Sequence, residues 1–216
     1  MIPLSLRIKR ETHRAVATAQ DLILAEVYRH FDKAVLHGGT AIWRCYQGKR
    51  FSEDLDFYFP KDATKIQELF SSLEKIGFRV LKKKITEQSV YSEMEMNHVT
   101  VRLEATFQKV QSYLVDYETV MGNFITIYSL TPEEFVKEKV SAYLHRRKIK
   151  DLYDIFFLLP QVKDFSIIKK ELQLFLKSYS PPLDESDLRI LVLEGLTPSS
   201  SEMRDYIQRK WENANI

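Results

Sequence analysis

The chain has 216 residues, enough for one compact domain or for a domain with a helical appendage. Thirty-two Lys and Arg against 30 Asp and Glu give a formal net charge of +2, which excludes nucleic-acid binding through bulk charge alone. The single cysteine, Cys45, excludes an intramolecular disulfide, and its aromatic neighbours predict a packed helix position. The N-terminus lacks a signal-peptide pattern, and no apolar run approaches the ~20 residues of a membrane span. We therefore expect a cytoplasmic protein without membrane contact.

The first 130 residues predict alternating helices and strands. Residues 11–30 have the spacing of an amphipathic helix. The apolar run at 34–37 predicts a short strand that stops at Gly38-Gly39, and Thr40 opens a second helix that Gly48 can end. Further along, the pattern predicts a strand at 54–59, a helix at 62–76, and strands around 78–85, 99–107 and 123–128.

The last third of the chain predicts only helices. Thr131 can cap a helix whose first turn holds Pro132, and Glu134 can complete a capping box. Prolines at 160, 181–182 and 198 mark breaks between later helices. The sequence thus predicts an α/β (α+β) fold: a core over residues 1–130 with a mixed β-sheet flanked by helices, and a helical C-terminal region over 131–216 packed on it.

A glycine pair precedes the second helix. Gly38 and Gly39 lack a Cβ, so the backbone can come close to a ligand there. The helix that starts near Thr40 directs free N–H groups toward the same place, which suits phosphate oxygens. By itself, such a pair is more often only a turn.

Three carboxylates can meet on one sheet face. Asp54 and Asp56 are two residues apart on a strand, so their side chains project from one face while Leu55 and Phe57 enter the core. Glu104 lies in the 99–107 strand and completes a three-acid cluster able to hold two Mg²⁺ or Mn²⁺ ions if the two strands are neighbours. The alternative is a solvated face, which Glu104 shares with Arg102.

These motifs resemble a known family. The order GGT, then RFSEDLDF with Arg50, Ser52, Asp54 and Asp56, then an acid on a later strand, is similar to the polymerase-β-type nucleotidyltransferases. Within that superfamily the chain resembles the AbiEii/AbiGii toxin-like nucleotidyltransferases. That family continues with a helical lysine and a basic segment ending in D-x-x-D. The matching positions here are Lys139, Arg146, Lys148, Lys150, Asp151 and Asp154.

The resemblance implies roles for these residues. Gly38, Gly39, Thr40, Arg50 and Ser52 would contact a nucleoside triphosphate, although Ser52 can equally support its own loop. Asp54, Asp56 and Glu104 would be catalytic metal ligands, and Lys139 would neutralise phosphate charge. The remaining nucleotide-binding candidates are Arg146, Lys148, Lys150 and Asp151, for which a solvated basic helix end is the alternative.

The resemblance also implies a reaction. The protein would move a nucleoside monophosphate from a triphosphate to an acceptor hydroxyl, with RNA, such as the 3′ end of a tRNA, as the acceptor. It would act as the toxin of a toxin–antitoxin or phage-defence pair, with a cognate antitoxin. Two alternatives stay open at this point: a non-catalytic nucleotide- or partner-binding protein of the same fold, and a metal-dependent phosphohydrolase or nuclease that uses the same carboxylates.

Overall fold

The computed structural model describes residues 3–214, and these residues form two compact units. One unit ends at Leu130 and the other begins at Thr131. The helices of the first unit are α1 Leu4–Arg7, α2 Glu11–His30, α3 Gly38–Cys45 and α4 Ala63–Lys75. Its strands are β1 Val35–His37, β2 Leu55–Tyr58, β3 Arg79–Ile85, β4 Ser89–Met96, β5 Val99–Thr106, β6 Tyr113–Glu118 and β7 Phe124–Ser129.

The seven strands form one mixed sheet. Their order is β3-β4-β5-β2-β1-β7-β6, with β2 parallel to β5, β1 parallel to β7, and the other neighbours antiparallel. The short strands β1 and β2 therefore lie at the centre of the sheet. Helix α2 contacts β5, α3 contacts β1 and β2, and α4 contacts β3. This mixed sheet with its helices confirms the predicted fold class.

The alternation of β2 and β5 separates an apolar face from a polar one. Leu55 and Phe57 of β2 and Leu103 of β5 are fully buried, as the period of two predicts. Asp54 and Asp56 lie on the opposite face and are half-buried. Burial of the apolar face fixes the strand register, since a slip of one residue would bring the carboxylates into the core.

Two strands were not anticipated from the sequence. Strand β4 has the period-two pattern SVYSEMEM and is joined to β5 by Asn97 and His98, both with positive φ. Such a left-handed pair closes a two-residue hairpin. Strand β6 pairs with β7. In β4 serine and glutamate alternate with the apolar residues, so an apolar run does not mark that strand. Strand β6, YLVDYE, is short and ends in charged residues.

The second unit is helical. Its helices are α5 Pro132–Arg146, α6 Ile149–Leu158, α7 Lys169–Ser178, α8 Leu188–Leu191 and α9 Ser200–Asn213, with single 3₁₀ turns at Leu159–Gln161, Phe165–Ile167 and Glu185–Asp187. The predicted capping box is confirmed: the Thr131 hydroxyl accepts from the Glu134 backbone N–H, and the Glu134 carboxylate accepts from the Thr131 N–H. Within residues 3–214, no helix is both long and apolar enough to span a membrane.

Candidate active site

The predicted acids lie on or directly before two adjacent strands, β2 and β5. In the register of the sheet, Asp56 lies opposite Glu104 of β5 on one side and opposite His37 of β1 on the other. Residues paired in this way point to the same face of a sheet, about 5 Å apart between strands. Glu104 is therefore on the same face as Asp54 and Asp56, which is the placement that the three-acid hypothesis requires.

Gly38 and Gly39 form a tight cradle beside the acids. Gly38 has φ +72°, and a Cβ built on it would lie 2.1 Å from Oδ2 of Asp56. A Cβ on Gly39 would lie 2.5 Å from Oγ of Ser52 and 2.7 Å from an Nη atom of Arg50. A side chain at position 38 would be strained by the positive φ as well as by the approach of Asp56, so glycine is required there. A side chain at position 39 would force the ends of the Ser52 and Arg50 side chains to move. The sequence-predicted Gly38, Gly39, Arg50, Ser52 and Asp56 are thus brought together.

Helix α3 starts two residues earlier than the sequence predicted. It begins at Gly38, with His37 as an N-cap whose side chain makes no capping hydrogen bond. Thr40 lies inside the first turn and is fully buried, and its hydroxyl donates to the backbone oxygen of Asp54. The Thr40 side chain therefore joins the helix to the acid-bearing strand, and only its backbone remains for a phosphate contact.

A buried glutamine supports the same loop. Gln20 of α2 is fully buried and donates its side-chain amide to the backbone oxygen of Ser52, at 2.9 Å. The same amide nitrogen lies 3.5 Å from Oγ1 of Thr40. Gln20 is not among the predicted site residues; the signal for it in the sequence is a polar residue on the buried side of an amphipathic helix. Gln20 positions the loop that carries Ser52 and Asp54.

The Asp54 carboxylate forms a two-fold hydrogen-bonded ion pair with Arg102. The Arg102 Nε and one Nη atom each donate to a different oxygen of Asp54, both at 2.7 Å. Burial opposes the charge of Arg102, but the hydrogen bonds to Asp54 and the nearby charges of Asp54 and Glu104 outweigh it and raise the pKa of the guanidinium. Arg102 thus supplies positive charge within the acid cluster, a role that the sequence analysis did not give it.

The side chains present fit a hard divalent cation. Asp54, Asp56 and Glu104 offer carboxylate oxygens on this face, the ligand type that Mg²⁺ and Mn²⁺ prefer. Asp56 and Glu104 are like charges in register on adjacent strands, an arrangement that a cation between them would stabilise. Within residues 3–214, no three His, Cys, Asp or Glu side chains already stand as ligands of one metal ion. To bind such an ion, Asp54 would have to give up its hydrogen bonds to Arg102.

The predicted basic residues belong to the second unit. Lys139 of α5 is buried, and its Nζ lies 2.8 Å from an oxygen of Asp154 and 3.6 Å from an oxygen of Asp151. Arg146 donates two hydrogen bonds to Asp151, at 2.7 and 2.8 Å. Lys139 and Arg146 therefore lie on one face of α5. Asp151 and Asp154 of α6, both buried, are ion-paired with them.

The turn between α5 and α6 is also held by ion pairs and backbone contacts. Arg147 ends α5 with φ +51°, and its guanidinium donates to the Pro181 backbone oxygen. Lys148 Nζ lies 3.4 Å from Asp184, and the same carboxylate accepts from the Ile149 backbone N–H at 2.7 Å. Lys150 is half-buried in the first turn of α6. These contacts give the basic segment a structural role whether or not it also binds phosphate.

Cys45 has no site role. Burial raises the pKa of its thiol to about 12, so the thiolate needed for nucleophilic chemistry is not formed near neutral pH. This agrees with the packed helix position that the sequence predicts.

The sheet, the glycine turn and the aspartate pair define a protein of nucleotidyltransferase fold. Two solved structures share the fold at low identity. JHP933 from Helicobacter pylori has a TM-score of 0.66 at 18% identity, covering 95% of this chain and 94% of that one. MenT4, a nucleotidyltransferase toxin from Mycobacterium tuberculosis H37Rv, has a TM-score of 0.64 at 17% identity, covering 95% and 86%. A comparison with curated protein sequences gives no match.

The family follows from the sequence match. The model of the nucleotidyl transferase AbiEii toxin family, which is described as part of type IV toxin–antitoxin systems, matches residues 22–213. The chain belongs to this family. The resemblance drawn from the GGT and RFSEDLDF motifs is thereby confirmed, and the protein is a nucleotidyltransferase of this family.

Proposed function

We propose that this toxin-family enzyme transfers a nucleoside monophosphate from a nucleoside triphosphate to a hydroxyl of an RNA acceptor, such as the 3′ end of a tRNA, in the cytoplasm. A divalent cation, Mg²⁺ or Mn²⁺, would be its cofactor. The observation that supports this best is the contact between Gly38 and Asp56, where a backbone without a side chain meets a carboxylate at the start of helix α3.

The phosphates of the triphosphate would lie against the first turn of α3. The N–H groups of this turn have no side-chain cap from His37, and a helix start favours negative charge. Arg50 and Ser52 lie directly over Gly39. The Arg50 guanidinium is buried and donates to the Phe51 backbone oxygen at 3.1 Å, so a phosphate bound at Gly39 would meet a guanidinium that the loop already holds in place. Ser52 and Arg50 would therefore orient the leaving pyrophosphate.

Asp56 and Glu104 would hold the cation, joined by Asp54 once Arg102 releases it. The bound cation would neutralise phosphate charge and favour the deprotonated acceptor hydroxyl. Arg102 remains on the same face and would keep positive charge beside the carboxylates. Lys139 is proposed as a further counter-charge for the phosphates, as the family pattern implies.

We expect label transfer from an α-labelled triphosphate to RNA in the presence of Mg²⁺, with each of the four triphosphates and total tRNA tested in turn. Asp56→Ala should lower the transfer rate at least ~100-fold, because it removes a carboxylate at the centre of the site. Asp32→Ala is the matched control, since Asp32 is an exposed aspartate of the same unit.

Three results would contradict the proposal. Transfer of the label to a protein and not to RNA would show that the acceptor is a protein. Shortened RNA with no label incorporated would indicate a nuclease. Equal loss of transfer in Asp56→Ala and Asp32→Ala would show that Asp56 has no special role.

A further inference from the structure

A cavity of about 380 Å³ lies in the first unit, beyond the carboxylates along β2. Its walls come from three segments: residues 33–35 at the start of β1, Tyr58 to Pro60 at the end of β2, and the connection 107–112 between β5 and β6. The volume is within the range of small-molecule sites in proteins, roughly 300–1,000 Å³. Neither the sequence motifs nor the family match assigns a role to it.

The cavity continues the face that carries the candidate active site. Tyr58 follows Asp56 by two residues on β2, so both side chains project from one face, about 7 Å apart along the strand. Tyr58 stacks on His37, with ring centroids 3.8 Å apart and an interplanar angle of 9°. His37 in turn lies opposite Asp56 in the register. The stacked rings of Tyr58 and His37 therefore lie on the face that joins the carboxylates to the cavity.

The cavity walls are aromatic and apolar. Phe59 is buried between Phe31, at 4.2 Å between ring centroids, and Phe107, at 6.0 Å. Phe107 and Tyr58 are half-buried and line the cavity. Flat aromatic surfaces of this kind bind nucleobases by stacking without strong sequence preference.

Two lysines stand at the same cavity. Lys33 and Lys109 line it and are exposed. Neither has an ion-pair partner in the part of the chain that the structure describes. The cavity therefore combines stacking surfaces with two exposed lysines that form no ion pair among the described residues, which is the combination found in single-strand nucleic-acid sites.

We propose that this cavity binds a nucleotide of the RNA acceptor strand, with its base against Tyr58 and Phe107 and the adjoining phosphates at Lys33 and Lys109. The assignment rests on the proposed function. It favours the acceptor over the base of the triphosphate because the triphosphate carries all its phosphates at the glycine turn. An RNA strand carries a phosphate at every nucleotide and can use both lysines.

The test is RNA binding without metal or triphosphate, so that it does not depend on transfer. Fluorescence anisotropy would measure the Kd of a labelled single-stranded RNA at several salt concentrations. Lys33→Ala/Lys109→Ala should weaken binding at least tenfold and make the slope of log K against log salt shallower by ~1.4, for two lost phosphate contacts. Phe107→Leu should weaken binding about fivefold through lost stacking.

Lys75→Ala/Lys84→Ala is the matched control. Both lysines are exposed in the same unit and have no ion pair among residues 3–214. The control should keep the wild-type Kd and slope. Circular dichroism of all variants would establish that each is folded.

Several outcomes overturn the proposal. Wild-type affinity and slope in Lys33→Ala/Lys109→Ala would do so, as would a wild-type protein that does not bind RNA. The same variants would also be titrated with a fluorescent nucleoside triphosphate. If Phe107→Leu and Lys33→Ala/Lys109→Ala bound the triphosphate more weakly but RNA as well as wild type, the cavity would bind the triphosphate base instead. A wild-type protein that labels a protein acceptor but does not bind RNA would overturn this assignment and leave the nucleotidyltransferase activity standing.

Discussion

At the level of single residues, the Arg102–Asp54 pair engages one of the three carboxylates proposed to hold a cation. Arg102 uses two donors on the two oxygens of Asp54. The Arg102 and Asp54 side chains are 43% and 19% exposed, so the pair stabilises by only about 1 kcal/mol after solvent screening. A cation that binds Asp54 has to replace this interaction.

Arg102→Gln should therefore tighten Mn²⁺ binding about fivefold, the equivalent of ~1 kcal/mol. Isothermal titration calorimetry without triphosphate would measure the change. Arg79→Gln is a suitable control, because Arg79 pairs with Glu95 on the edge strand β3. Weaker or unchanged Mn²⁺ binding in Arg102→Gln would mean that Arg102 does not compete for the metal ligand.

At the scale of elements, α5 and α6 are joined by a buried ion pair whose lysine is also a candidate phosphate partner. The Lys139 and Asp154 side chains are 8% and 1% exposed. Removing one member of a buried pair leaves an uncompensated charge and costs ~3–5 kcal/mol, whereas replacing both by apolar residues is often neutral. A double substitution can therefore separate the structural role of Lys139 from a chemical one.

Lys139→Met should lower the free energy of unfolding by ~3 kcal/mol and abolish label transfer. Lys139→Met/Asp154→Leu should recover most of the stability while transfer stays at least ~100-fold below wild type, because the positive charge is still missing. Urea denaturation followed by circular dichroism measures the first quantity, and label incorporation the second. Recovery of both in the double variant would limit Lys139 to a structural role.

At the scale of the whole molecule, membership of a toxin family predicts an effect on the growth of a host cell. The charge balance gives no bulk attraction to nucleic acid, so harm to the cell should come from catalysis and not from non-specific RNA binding. The catalytic variant should then be harmless even when its level in the cell matches that of the wild type.

Induced expression of the wild-type chain in a bacterial host should stop growth, and Asp56→Ala should restore it. Asp32→Ala should remain as toxic as wild type. Growth curves with immunoblots of protein level provide the measurement. Growth arrest by Asp56→Ala at equal protein level would indicate harm that does not need the carboxylate site.

The local features of this protein were predictable from neighbouring residues alone. The glycine turn and the shared face of Asp54 and Asp56 could be predicted from a stretch of about twenty residues, because near neighbours determine turn conformation and strand alternation. The capping box at Thr131 and Glu134 was predictable for the same reason. The motif order was also sufficient to identify the family.

The distant residues that share the site are brought together by the folded chain and were not predictable from local patterns. Glu104 faces Asp56 because β5 runs parallel to β2, a pairing that no local pattern specifies. Gln20 and Arg102 reach Ser52 and Asp54 from a separate helix and strand. The cavity beyond Tyr58 combines three separate segments of the chain. Such contacts depend on strand order and helix packing, which arise from burial of the whole apolar face and not from any one stretch of sequence.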